Sequence, residues 1–271
     1  MIEFIKVILL GIVEGVTEFL PISSTGHLIV AAALLRPGFS ASGESSFVLF
    51  IQIGAVIAVG LYYLRDLLAQ ARALPSDRDV QRFWLSIIIA VVPAALIGFV
   101  ARGVIKDVLF TPVVVAMMLI LGGIVFIVFE RSPLASRPAQ IDMMGVSPRQ
   151  ALIIGIFQTA ALIPGVSRAA ASILGGMVTG FSREAATRFS FFLALPTLGG
   201  ATLADLLLSL DEISGDSLPY FFLGAVVSGI TAWLSIGWLL RYVSRSSFTP
   251  FGVYRIAAGA IILILAAAGA I

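Results

Sequence analysis

Six stretches of this chain, residues 47–64, 84–101, 111–129, 187–207, 219–240 and 251–270, are long and apolar enough to cross a lipid bilayer. A hydrocarbon core of ~30 Å needs about 20 predominantly apolar residues in a helix. Inside it, every backbone N–H and C=O must be paired within the protein, and a helix does this segment by segment. The rest of the chain agrees, with 59% hydrophobic and 12% charged residues, where a soluble domain carries roughly a quarter charged. The expected fold is an all-α polytopic membrane protein, a single membrane domain over 1–271. The chain has no cysteine, which excludes disulfides, thiolate nucleophiles and Cys-bound metals. A net charge of +2 makes no case for a nucleic-acid partner. The apolar run Val7 to Val13 leads straight into Glu14 and Glu18 without a small-residue cleavage site. The N-terminal segment is therefore expected to belong to the fold and not to be a signal peptide.

Loop charges orient the spans. Arg65, Arg72, Arg78 and Arg82 lie in one loop, Arg131, Arg137 and Arg149 in a second, and Arg241 and Arg245 in a third. The 205–217 loop carries Asp205, Asp211, Glu212 and Asp216 with no Lys or Arg. The positive-inside rule puts the basic loops in the cytoplasm and the acidic one outside, with Arg102 and Lys106 against the trend. Two regions then fit only as re-entrant helix-loop-helix segments. Ser24 to Leu35 spans ~18 Å as a helix, too short to cross. Spans alternate consistently if 1–36 enters and leaves on the outer side and 150–182 on the inner side. The halves also echo each other. At an offset of 144, Gly11 meets Gly155, Glu14 meets Gln158 and Ser23 meets Ser167; at 138, Phe110-Thr111-Pro112 meets Phe248-Thr249-Pro250. Opposite orientation of the halves predicts an inverted-topology repeat of about 1–130 and 146–271, with broken helices meeting near the midplane.

The first break carries the chemistry. Glu14, Glu18, Ser23, Ser24, Thr25 and His27, the sole histidine, fall within Glu14 to His27. Ionisable groups at membrane depth are functional candidates by default. Glu14 and Glu18 are i,i+4 and share a helix face. Two carboxylates so close either share a proton or hold a cation, and oxygen-only ligands favour Mg²⁺ or Ca²⁺. Pro21 ends that helix, and Ser23, Ser24 and Thr25 offer N-cap hydroxyls for the next, whose N-terminus would suit a phosphate. Ser24 and His27 are three apart, so a hydroxyl nucleophile beside an imidazole base is expected.

The second break, Gln158 to Arg168, reaches the interior from the other side. Arg168 either pairs with Glu14 or Glu18 or clamps an oxyanion with its planar fork, and Gly165 would permit close backbone approach. Glu184 and Arg188 are expected to form an i,i+4 ion pair, Arg255 to snorkel, both FTP triplets to start helices with Thr as cap, and Gly122-Gly123 and Gly175-Gly176 to be packing positions.

The run EGVTEFLPISSTGHL with PGVSR in the second half closely resembles the BacA/UppP family of undecaprenyl-diphosphate phosphatases. Phe47 with Gln52-Ile-Gly54, Arg188-Phe-Ser-Phe, Phe248-Thr-Pro-Phe251 and Tyr254-Arg255 extend the match over about 5–265. The resemblance implies hydrolysis of a C55 polyprenyl diphosphate to the monophosphate carrier lipid and bacitracin resistance. It also implies a multi-pass protein of the bacterial inner membrane whose site opens to the outer, periplasmic side. On its motifs Glu14 and Glu18 would bind a divalent cation, and Ser24 and His27, with Glu18, would do the chemistry. Ser23, Thr25, Ser167, Arg168 and Gly165 would hold the diphosphate. Where the family usually reads Ser-Gly after the arginine, this chain has Ala169 and Ala170, which implies a lost phosphate contact. The alternative is a lipid-phosphate transporter or flippase using the same site, since broken helices in inverted repeats also build carriers. A homodimer is the assembly left open.

Overall fold

The computed structural model describes residues 2–39, 41–104, 109–137, 139–208 and 217–271. α5 (Arg78–Val104), α6 (Pro112–Glu130), α9 (Arg183–Leu208), α10 (Leu218–Val243) and α11 (Thr249–Ala267) are each long and apolar enough to cross a membrane. A sixth candidate is α3 (Ala41–Tyr62) with α4 (Leu64–Ala73), a pair apolar enough together to cross but bent by 64°. The first expected span, 47–64, thus ends at the bend at Tyr63. The helix α4, which exposes Arg65, Asp66 and Arg72, lies in the expected basic loop, where such residues stay at the polar boundary. The chain is an all-α polytopic membrane protein. Lys106, Asp211, Glu212, Asp216 and the side chain of Arg102, on which part of the orientation argument rests, lie outside the described residues.

Two helical hairpins complete the fold. In the first, α1 (Ile2–Thr17) is followed by α2 (Ser24–Leu35). Lys6 donates to Glu3 (2.7 Å) and to the Arg36 carbonyl (2.9 Å), and the Gly38 N–H donates to Glu3 (2.9 Å). The start of α1 and the residues beyond α2 therefore lie at the same face. The Lys6 bond, and then that from Gly38, hold the Glu3 carboxyl below the usual carboxylate range, so this tie remains charged into mild acid. In the second hairpin, α7 (Pro148–Thr159) is followed by α8 (Arg168–Val178). Gln150, in the first turn of α7, donates to the Thr179 carbonyl just past α8 at 3.0 Å. Its ends are likewise together. With the bent pair α3 and α4 counted as one span, three spans lie between the two hairpins in the chain.

Each hairpin is packed against the other half of the chain. α1 lies along α10, and α7 lies along α5. Glycine makes this closeness fit. A Cβ at Gly15 would fall 2.2 Å from the Ser228 carbonyl, one at Gly11 2.7 Å from that of Gly224, and one at Gly155 2.6 Å from that of Ala90. α6 and α11 pack through Gly123 and Gly252, and α8 packs on α7 and α9 through Gly175 and Gly176. The expected Glu184–Arg188 pair forms at 3.0 Å.

One cap expectation fails. Thr111 caps α6, accepting from Val114 N–H at 3.3 Å, but Thr249 is already inside α11 and its hydroxyl caps nothing. The buried Glu130 carboxylate takes its place, accepting the Phe248 N–H at 2.8 Å while paired with Arg183. A carboxylate complements the helix N-terminal dipole better than a hydroxyl, and this one also joins the ends of α6, α9 and α11.

Close helix contact makes a paired expectation. Gly15→Ala should lower stability by about 1–3 kcal/mol through overpacking. Gly60→Ala, where a Cβ meets nothing within 4 Å, should be neutral or gain up to about 1 kcal/mol. Thermal unfolding in detergent reads both, and indistinguishable midpoints would contradict the packing described.

Candidate functional site

Both hairpins break at a serine in a conformation that serine rarely adopts. Ser23 has φ 71° and Ser167 φ 74°, immediately before α2 and α8. Such backbone costs about 1–3 kcal/mol per residue, persists only where the surroundings enforce it, and clusters at functional sites. These are the two serines that coincide at the 144-residue offset.

Arg255 enforces the breaks. The expectation that it snorkels is overturned: it is fully buried. Its guanidinium donates to the Pro21 carbonyl of the first break at 3.0 Å and to those of Gly165 and Val166 in the second, both at 3.0 Å. It also donates to Met118 (3.2 Å) and Leu119 (3.4 Å) of α6. A broken helix leaves carbonyls without N–H partners at a depth where water is scarce, and a guanidinium carries five donors in one plane. Gly122 makes room, since a Cβ there would fall 2.3 Å from the Arg255 Nη2. The close approach at Gly165 (φ 95°) is to α6, where a Cβ would meet the Val115 carbonyl at 2.4 Å.

Around these breaks lies a cavity of about 160 Å³, walled by Ser23, Ser24 and Thr25 from one hairpin and Gly165, Ser167 and Arg168 from the other. Glu18 and Gln52 complete its polar lining. Glu18 keeps helical register one residue past α1, its N–H bonding the Glu14 carbonyl at 2.9 Å. One carboxylate oxygen accepts the Ser24 hydroxyl at 2.6 Å and the other the Arg168 guanidinium at 3.2 Å. Of the two partners open to Arg168 from sequence, Glu18 is the one observed. α9 holds the arginine from behind: Nη1 donates to the Ser190 carbonyl (3.0 Å) and hydroxyl (3.3 Å), and Phe19 lies under the guanidinium at 5.5 Å. The Arg168 Nε is buried without a partner.

The remaining expected residues divide. Ser167 caps α8, accepting the Ala170 N–H at 3.2 Å, whereas Ser23 makes no side-chain cap to α2. No described residue bonds the Ser23 or Thr25 hydroxyl, and both face the cavity. Glu14 is one turn behind Glu18, and both its carboxylate oxygens are buried without a partner; the amide of Gln158, its counterpart in α7, is likewise unpartnered. Neither Glu14 nor His27 walls the cavity. Ser24 and His27 share the first turn of α2, but no hydrogen bond joins them: the Ser24 hydroxyl goes to Glu18 across the break, and the histidine ring leans back along its helix past the serine. His27 thus reaches back to the Ser23 carbonyl (Nδ1, 2.7 Å), while Nε2 meets the Tyr254 hydroxyl at 2.6 Å. Ala169 and Ala170 are buried in the apolar core and do not wall the cavity.

Sequence reasoning gave no role to Gln52, Ser190 or Tyr254, and the wrong one to the clasping Arg255. A signal existed for Arg255, the one charge in its span. For Ser190 and Gln52 there was none beyond the motif match.

Residues 7–261 match the family model for the bacitracin resistance protein BacA. Among curated relatives, the undecaprenyl-diphosphatase of Acidovorax ebreus is 47% identical over 98% of this chain and 96% of its own length. That of Verminephrobacter eiseniae is 46% identical over 99% and 97%, and that of Deinococcus deserti 44% over 98% and 97%. The matched span takes in both hairpins and Arg255.

Replacing Arg255 by methionine should strand several buried carbonyls, each worth about 1–3 kcal/mol when unpaired. A loss of at least about 3 kcal/mol is expected by thermal unfolding. Lysine, with three donors on one nitrogen, should recover part of it. A methionine variant of wild-type stability would show that Arg255 does not hold the breaks.

Proposed function

The chain belongs to the bacitracin resistance protein BacA family, and from that premise we propose that it hydrolyses undecaprenyl diphosphate to undecaprenyl phosphate and inorganic phosphate. The observation that carries the reading is the 2.6 Å bond from the Ser24 hydroxyl to Glu18, at the wall of a cavity shared with Arg168. A hydroxyl set on a carboxylate is a nucleophile with its base in place. The rival reading, a lipid-phosphate carrier, has no use for that pairing.

In this reading the prenyl tail stays in lipid and the diphosphate enters the cavity. Ser24 Oγ attacks the terminal phosphorus and passes its proton to Glu18; the bond from that phosphorus to the bridging oxygen breaks, and undecaprenyl phosphate leaves. Glu18 gives that proton up to the departing undecaprenyl phosphate. As a carboxylate again it takes a proton from water, which attacks the phosphoserine phosphorus, and it returns that proton to Ser24 Oγ as the phosphoseryl bond breaks and inorganic phosphate leaves. Arg168 neutralises charge on the transferring group, its unpartnered Nε being a free donor for it. The Ser23 and Thr25 hydroxyls and the backbone near Ser167 and Gly165 hold the rest of the diphosphate. The paired breaks, the matched serines and the reciprocal packing of α1 on α10 and α7 on α5 support an inverted repeat of about 1–130 and 146–271. Loop charge supports a site open to the outer face of a bacterial inner membrane.

The donor set fits a divalent cation. Both Glu14 oxygens are buried and unpartnered, and Glu18 follows one turn later. The described residues contain no group of three or more Asp, Glu, His or Cys able to hold a metal ion. Mg²⁺ is commonly held by one or two carboxylates completed by substrate phosphates, so Glu14 and Glu18 are the residues that would bind Mg²⁺ or Ca²⁺. Bound there, the ion would neutralise phosphate charge.

Phosphate release from undecaprenyl diphosphate by the purified protein in detergent tests this. Ser24→Ala and Glu18→Gln should each lower kcat by about 10²–10⁴-fold, and Arg168→Lys should also impair it, because a point charge does not replace the fork. EDTA should stop release and added Mg²⁺ restore it. Undiminished release by Ser24→Ala would remove the serine from the chemistry.

A further inference from the structure

The chain's one histidine does not face the nucleophile, yet it is held at both ring nitrogens. At 2.7 Å from Nδ1 is the Ser23 carbonyl oxygen. A carbonyl only accepts, so Nδ1 carries the proton and donates. In the neutral ring Nε2 is then an acceptor, and the Tyr254 hydroxyl, 2.6 Å away, donates to it. The two rings lie parallel, 4° apart in plane, which limits rotation of the imidazole. The carbonyl at the end of this chain of bonds belongs to Ser23, the residue at φ 71° whose conformation aims Ser24 at Glu18. A residue strained in this way stays put only if something outside it holds it there.

We infer that Tyr254 is a positioning residue which, through His27, fixes the strained Ser23 peptide and so presents the Ser24 hydroxyl to Glu18. His27 on this account works by holding a carbonyl and not by taking the proton of the nucleophile. The inference deepens, and rests on, the hydrolytic reading above. Tyr254 and Arg255 are adjacent on α11, so one helix secures both the carbonyl of Pro21 and that of Ser23 in the first break.

Because the chain has a single histidine, selective ¹⁵N-histidine labelling of protein purified without a histidine tag reads this one ring. Wild-type protein at a pH where the ring is neutral should show Nδ1 protonated and Nε2 bare. The opposite tautomer overturns the inference whatever the activity. Tyr254→Phe, which keeps the ring and removes the hydroxyl, should shift the Nε2 resonance towards that of an unbonded imidazole. It should also lower kcat about tenfold with KM little changed, since small misplacements of a reacting group cost up to about 10²-fold. An unchanged spectrum and kcat would overturn the role of Tyr254. His27→Asn places an amide N–H where Nδ1 was but cannot shuttle a proton. It should keep kcat within about tenfold of wild type, while His27→Ala falls by about 10²-fold. If both fall equally with wild-type unfolding midpoints, His27 moves a proton itself and the positioning role is wrong. Wild-type protein with the expected tautomer but no phosphate release would instead overturn the hydrolytic reading, leaving the bonded relay standing.

Discussion

A buried guanidinium without a carboxylate partner among the described residues sets the architecture of this protein. Bringing two broken helices to the same depth in a membrane exposes carbonyl groups that neither lipid nor a continuing helix can satisfy. Arg255 takes carbonyls from both breaks and from α6 in one planar group. Spread over several acceptors, its charge is solvated by peptide dipoles in place of water. The hairpin tips, the cavity between them and the alignment of α6 with α11 follow from that clasp.

The clasp also makes reactive geometry affordable in a fold that would otherwise relax. Ser23 and Ser167 sit at positive φ, and their strain persists because the residues on either side are anchored. Ser24 and Arg168, which follow them, are thereby brought to the two oxygens of one carboxylate, Glu18. Two half-sites from the two hairpins become a single site. The charges balance locally, and Ser190 of α9 keeps the arginine from swinging away.

Much of this was legible in the chain. Apolar run length located the five long spanning helices and the bent pair α3 and α4, because a bilayer imposes its thickness on any helix that crosses it. Segments too short to cross identified the two hairpins. The dense polar run from Glu14 to His27 located the first half of the cavity, since polar residues at that depth need a reason. The failures have physical causes as well. Periodicity puts Ser24 and His27 on one face of α2, but it says nothing of the segment before that helix, and the Ser24 hydroxyl finds Glu18 across the break. Thr249 reads as a cap until a carboxylate from α6 outcompetes it.

What the order of residues settled was the solvent and the inventory: a helical membrane chain, two interruptions, and the polar groups each interruption brings. These depend on local quantities, hydrophobic length and residue type, that require no partner. What only the folded chain decided was pairing. Arg255 satisfies Pro21, 234 residues away, and Arg168 meets Glu18 across 150 residues. His27 turns from the serine three residues before it to a tyrosine 227 residues on. Each choice is made by distance in space between groups that must be desolvated together, and no spacing along the chain encodes it.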